Sequence, residues 1–134
     1  MNQAVLDASV VLKWFQPETE RHAAAARSLR ADFQAGTLAV IAPPLLYVEI
    51  VNVAGRRWRW ERAALVDLAH ALQALRFDVR QPALGSVAEW TARGLTAYDA
   101  TYVALAQAEA IPLVTDDEQI LALAPAASRA LAGV

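Results

Sequence analysis

The sequence predicts an α/β fold: a three-layer α/β/α sandwich with a short parallel sheet between two helical layers. Three observations carry this expectation. Short apolar runs rich in branched residues alternate along the chain with longer helical segments, the pattern of a parallel sheet covered on both faces. Alanine is abundant throughout and favours the helices. Finally, 134 residues at 57% hydrophobic composition allow a well-buried core, and no repeat, low-complexity linker or composition break divides residues 1–134 into more than one domain.

Taken in order, Ala4-Val5-Leu6 reads as the first strand, ended by Asp7. Ser9 can cap a short helix running through Phe15 and Gln16 to a stop at Pro17. An Ala/Arg-rich helix from Thr19 to about Ala35 ends at Gly36. Residues 38–42 form a second strand, and Pro44 opens a helix carrying Glu49 and Asn52 towards Arg57. Residues 61–76 show helical periodicity through Leu65, Leu68, Leu72 and Leu75. A weak strand at 77–79 precedes helices over about 84–93 and 96–109. A tight turn then leads to a strand at 111–115, and a last short helix covers 117–123.

Composition narrows the partners. The net charge of −2 is unlike that of a protein that binds nucleic acid by neutralising many phosphates with its own cations. The one basic run, Arg56, Arg57, Arg59 and Arg62 with Glu61 among them, reads first as a solvated helix face. The absence of cysteine excludes disulfides, zinc knuckles and thiol chemistry and suits a reducing cytosol. The opening MNQAVLDASVV has no basic leader, and the longest uncharged stretch, residues 33–48, is broken by Pro43 and Pro44. A cytoplasmic chain with no membrane association is expected.

Carboxylates interrupt otherwise apolar segments at four places. Asp7 ends a strand, where a turn or cap role is equally natural. Glu49 is the only charge in PPLLYVEIVNVAG; helical spacing stacks it with Asn52 and Arg56, beside an apolar stripe of Leu46, Ile50 and Val53. The apolar flanks suggest that most of this helix is buried. Asp99 is the lone charge in LTAYDATYVALA and follows Thr96 in a capping-box pattern, which does not prevent it from also acting as a ligand. Asp116 and Asp117 close the strand IPLVT; either can cap the next helix, and Thr115 can orient a ligand. Parallel sheets bind ligands at the carboxyl ends of their strands, where Asp7 and the Asp116/Asp117 pair fall. Like charges gathered there need a counter-charge, yet Lys13 is the only lysine and no arginine adjoins Asp7, Asp99 or Asp117. A hard cation from solution, Mg²⁺ or Mn²⁺, suits all-oxygen ligands. His22 and His70 read as surface or boundary residues.

Three segments, VLDASVVLKWFQPE, PPLLYVEIVN and LTAYDATYVALAQAEAIPLVTDDEQIL, together resemble the PIN-domain family, and within it the VapC-type toxins of bacterial toxin–antitoxin pairs. They occur in the family's order and usual separations. The resemblance implies acids converging at one end of the sheet on Mg²⁺ or Mn²⁺. The family's acid followed two residues on by a hydroxyl matches Asp7 and Ser9. Its helical acid followed by an Asn matches Glu49 and Asn52. The YDA segment matches Asp99, and the T-x-D element selects Thr115 and Asp117, leaving Asp116 at the variable position as an alternative ligand.

What the resemblance implies is an endoribonuclease toxin that hydrolyses RNA phosphodiesters. Asp7, Asp99 and Asp117 are expected to bind metal, Glu49 to be a ligand or base, and Ser9, Asn52 and Thr115 to fix the carboxylates. It also implies a homodimer and a small antitoxin that covers the site and alone contacts DNA, with Trp14 and Phe15 as exposed apolar contacts for it. Two other readings fit the residues: a housekeeping PIN nuclease that processes RNA without an antitoxin, and a non-catalytic, metal-stabilised module that binds RNA or antitoxin. A receiver domain is disfavoured by the lack of a late lysine, and no glycine fingerprint of dinucleotide or P-loop sites occurs. Trp58-Arg59-Trp60 lies outside the matched motifs; packing or a partner surface suits it better than an aromatic RNA contact.

Overall fold

The structure, a computed structural model, describes residues 1–16 and 21–134. Strands β1 (Gln3–Leu6), β2 (Ala39–Ala42), β3 (Asp78–Val79), β4 (Leu113–Thr115) and β5 (Ser128–Ala130) form one sheet in the order β3-β2-β1-β4-β5. Every neighbouring pair is parallel. Parallel neighbours need crossover connections, and helices supply them. Between β1 and β2 lie α1 (Ala8–Val11) and α2 (Ala23–Gln34); between β2 and β3 lie α3 (Leu45–Arg56) and α4 (Arg62–Ala74). Helices α5 (Leu84–Ala92) and α6 (Ala97–Glu109) join β3 to β4, and α7 (Glu118–Leu123) joins β4 to β5. This is the expected α/β architecture. Residues Val5, Leu6, Leu113, Val114 and Thr115 are all 0% exposed, so the two central strands are covered on both faces. Among the described residues no helix is long and apolar enough to cross a membrane.

The strand order positions the site. From β1 the chain steps outward to β2 and β3, then returns to the other side of β1 to lay down β4 and β5. Connections leaving the carboxyl ends of β1 and β4 therefore diverge, and a crevice opens between them. Asp7 immediately follows β1, and Asp116 and Asp117 immediately follow β4. Helix α6 supplies another wall. Its residues from Ala100 to Ala106 are each buried, which carries Asp99, in its first turn, to the edge of the core.

Several local expectations need correction. The expected stop at Pro17 and helix start at Thr19 lie outside the described residues. Helix α2 is described from Ala23, after His22 in a left-handed conformation (φ 58°). Gly36, with φ 79°, follows the helix end as expected, in a region where glycine carries no Cβ penalty. Asp7, rather than Ser9, caps α1, which continues into a 3₁₀ turn at Leu12–Trp14. Trp14, expected on the surface, is 4% exposed: it stacks on Phe33, meets Phe77 edge-on, and donates its indole N–H to the Ala26 carbonyl at 2.9 Å. An indole with packed faces and a satisfied N–H belongs to the core. Helix α3 is less buried than its composition suggests, because Leu46, Ile50 and Ala54 face inward while Val48 is 68% exposed.

Strand β5 was not anticipated. Ser128, Arg129 and Ala130 have little intrinsic strand preference. They are held extended by pairing with Leu113, Val114 and Thr115 of β4.

Candidate active site

Asp7 is the centre of the crevice. It is 4% exposed, and both of its oxygens accept hydrogen bonds. Oδ1 accepts from the Ser9 N–H at 3.0 Å and from the Ser9 hydroxyl; Oδ2 accepts from the Thr115 hydroxyl. Each hydroxyl spends its one proton on Asp7 and keeps lone pairs for other donors. The Ser9 oxygen accepts from the Asp116 N–H at 3.1 Å, and the Thr115 oxygen from the Asp117 N–H at 3.0 Å. Two hydroxyls thus tie the first acid to the turn bearing the last ones. Burial still dominates the titration of Asp7. It pushes the carboxyl up to about 6 against the two hydroxyls, with the charges of Asp99 and Asp117 adding to the rise.

Glu49 and Asp99 approach from α3 and α6. Both are half-buried. The Tyr102 hydroxyl donates to Glu49 Oε1 at 2.9 Å. Burial raises the Glu49 carboxyl above its ordinary range; the Tyr102 bond opposes this and Asp99 assists it. For Asp99, burial and then the Asp117 charge raise the carboxyl, while Thr96 works the other way. Thr96 caps α6 by accepting the Asp99 N–H at 3.1 Å, so capping fixes the acid without occupying its carboxylate.

Asp117 and Asp116 diverge. Asp117 lines the cleft, and its Oδ1 caps α7 by accepting the N–H groups of Gln119 and Ile120 at 2.8 and 3.0 Å. Asp116 instead pairs with Lys13 at 3.4 Å, Arg21 at 3.3 Å and His22 at 2.9 Å. Partial burial would raise its carboxyl, but the His22 bond and the Lys13, Arg21 and His22 charges together hold it below the ordinary range. The lone lysine therefore serves the acid outside the cleft.

The resulting cleft, of about 180 Å³, is lined by Asp7, Ser9, Glu49, Asp99, Tyr102 and Asp117, with apolar walls from Leu12 and Val53. Of the polar residues singled out from sequence, Asn52 and Asp116 stand apart: Asn52 is exposed further along α3, Asp116 is held by its ion pairs, and neither lines the cleft. Tyr102 escaped the sequence reading. Its signal was its position three residues after Asp99, which places both on one face of α6. A larger apolar groove of about 500 Å³ lies between α3 and α4, beside Tyr47, Val51, Leu72 and Phe77, but no carboxylate lines it.

The charges that act on Asp7 and Asp99 from other described residues are all negative. Buried carboxylates in such a field need a counter-charge, and their oxygens suit a hard divalent cation. Among the described residues no three acids stand close enough to form a ready-made metal cage. Each Asp7 oxygen keeps lone-pair capacity beside its hydroxyl bond, and the α7 cap uses Oδ1 of Asp117, so these hydrogen bonds do not bar the carboxylates from a cation. The donor set fits in kind and location, without a preformed cage.

A family model described as PIN domain matches residues 4–125. No curated protein matches. Among solved structures, that of PAE2754 from Pyrobaculum aerophilum is similar, with a TM-score of 0.70 and 25% sequence identity over 96% of this chain and 89% of that one.

Proposed function

Because the chain belongs to the PIN-domain family, whose members are generally nucleases that use divalent metals, we propose that its cleft hydrolyses RNA phosphodiesters with Mg²⁺ or Mn²⁺ and that the chain is a VapC-type toxin. The observation that carries this reading is the cleft itself. Four segments distant in sequence each bring one acid to the crevice beside β1 and β4, while the chain's only lysine is paired outside it.

Asp7, Asp99 and Asp117 would hold the cation, with Glu49 beside them. A divalent cation, when bound, neutralises charge on the scissile phosphate and acidifies water. The chain's own residues do the rest. Ser9 and Thr115 fix Asp7, and Tyr102 fixes Glu49. Burial raises the Glu49 carboxyl, which makes its anion a stronger base than an exposed glutamate. Glu49 takes a proton from the attacking water as its oxygen bonds to phosphorus. The backbone P–O bond breaks, and the leaving oxygen is protonated from solvent.

A toxin of this kind works as a cytoplasmic homodimer with a small antitoxin that covers the cleft and alone contacts DNA. Induced expression in a bacterial host tests the assignment. Growth arrest that Asp99→Asn abolishes, with a small protein co-purifying from the native host, is the expected result. Cleavage of RNA with neither arrest nor partner would replace the toxin with a housekeeping nuclease.

A further inference from the structure

Four of the chain's twelve Lys and Arg residues fall within the seven positions from Arg56 to Arg62, in a protein of net charge −2. The structure shows this run as the turn between α3 and α4, with Arg56, Arg57, Arg59 and Arg62 all exposed. Arg59 adopts a left-handed conformation (φ 62°) between two tryptophans. Trp58 and Trp60 are half-buried, each packed in part against the core, with ring centroids 5.3 Å apart, and the Arg57 guanidinium lies 6.0 Å from the Trp58 ring. The two indoles thus pack on the core from one side and leave part of their rings to water beside four guanidinium groups.

The turn is continuous with the cleft. Glu49 lines the cleft, and Arg56 lies seven residues on, two helical turns along the same stripe of α3 and about 10 Å away. Exposed Asn52 stands between them on that stripe, a polar step from the acids to the arginines. Guanidinium groups beside partly open aromatic rings are the chemistry that holds single-stranded nucleic acid: phosphates pair with arginine, and bases stack on rings whatever their sequence.

We propose that the Arg56–Arg62 turn is a subsite for single-stranded RNA, gripping nucleotides that flank the bond placed over the carboxylates. This rests on the nuclease reading and adds to it a contact site outside the carboxylate cleft, built from residues of this chain's α3–α4 turn. It also gives an acidic protein a local cationic hold on a polyanion beyond the cleft.

Intrinsic fluorescence reads the subsite directly, because Trp14 and Trp90 are only 4% and 7% exposed and contact quenching must come from Trp58 and Trp60. A short oligouridylate is titrated into Asp7→Asn protein with Mg²⁺ present. Saturable quenching is expected, and Trp58→Ala should weaken affinity roughly 5- to 150-fold, the range for one lost base stack, with Trp58→Phe restoring much of it. Arg59→Gly suits the left-handed backbone and so preserves the fold while deleting the charge. It should lower the salt dependence of binding by about 0.7 in log–log slope if one phosphate contact is lost. In otherwise wild-type protein it should raise KM for RNA with little change in kcat. Quenching without cleavage by wild-type protein would sink the nuclease reading and leave the subsite standing. Cleavage with KM unmoved by either substitution, and no quenching, would overturn the subsite and leave the nuclease. A turn variant that instead converts a dimer to monomer with RNA affinity unchanged would make the turn a self-association surface, which also overturns the proposal.

Discussion

Tyr102 on α6 donates its hydroxyl to Glu49 on α3 at 2.9 Å, bridging two walls of the carboxylate cleft. The bond orients an acid that its own helix leaves half-exposed. Burial, then the charge and hydrogen bond of Glu49, raise the Tyr102 phenol far above its ordinary range, so it remains a donor at any working pH.

Tyr102→Phe keeps the ring and removes only this donor. Residues that orient a catalytic or metal-binding group are worth about 10- to 100-fold in activity or metal affinity, and a loss of that size is expected here. The fold should survive, with stability lowered by about 1 kcal/mol. Cleavage rates beside thermal melts separate the two effects; an unchanged rate would show that Glu49 needs no such support.

Thr115→Val should do more damage. Thr115 is 0% exposed, and its hydroxyl joins Asp7 to the Asp117 N–H. Its loss leaves a buried carboxylate oxygen and a backbone N–H each short of a partner, costing about 1–3 kcal/mol per group. Asp7 should also titrate higher, because a hydroxyl that favours its charged form is gone. Denaturant unfolding measures the first effect. Recovery of wild-type stability in Thr115→Ser, which keeps the hydroxyl, would tie it to the hydrogen bonds.

The adjacent acids should behave differently. Asn caps helices about as well as Asp, so Asp117→Asn should keep α7 intact while removing a charge from the cleft. Cleavage should fall by orders of magnitude with little change in melting temperature. Asp116→Asn acts on the Lys13, Arg21 and His22 cluster outside the cleft; because Lys13 is buried, the substitution should lower stability while reducing cleavage far less than Asp117→Asn does. Equal losses in both variants would contradict the division of labour seen in the structure.

That division was partly legible in the sequence. Strand-end positions marked Asp7 and the Asp116/Asp117 pair, the T-x-D element of the resemblance selected Asp117 from that pair, and lone charges in apolar helices marked Glu49 and Asp99. The fold brings Asp7, Glu49, Asp99 and Asp117 to one cleft. Other features depend on contacts distant in sequence. Asp116 is ion-paired by Arg21 and His22, more than ninety positions away in the chain, which no local pattern encodes. Trp14, expected in a short helix as an exposed apolar contact, is buried by Phe33 and Phe77. Strand β5 exists because β4 offers an edge to pair with, not because Ser128-Arg129-Ala130 prefers to be extended. Asn52 shows the opposite error: the motif placed it with the acids, and the geometry of α3 leaves it in solvent.

The buried Asp7 should also govern stability in metal-free protein. Its carboxyl titrates near 6 when folded, against 3.8 for an ordinary aspartate. Between those values the folded chain binds more protons than the unfolded chain, so this group costs stability as pH rises through the window. The full penalty, reached above the folded value, is on the order of 3 kcal/mol. Asp7→Asn should therefore be more stable than the unsubstituted protein at about pH 8 in EDTA, and the difference should vanish towards pH 4. Chemical denaturation at the two pH values measures it, and no difference at the higher pH would mean that Asp7 is not held charged against its surroundings.

The most direct measurement is single-turnover cleavage of a mixed host RNA pool by purified protein in Mg²⁺, in Mn²⁺ and in EDTA, with Asp7→Asn and Asp99→Asn alongside. Cuts at a few discrete positions that require the cation and disappear in both variants are the expected result. Cleavage that persists in EDTA, or that survives both substitutions, would contradict the assignment of hydrolysis to this cleft.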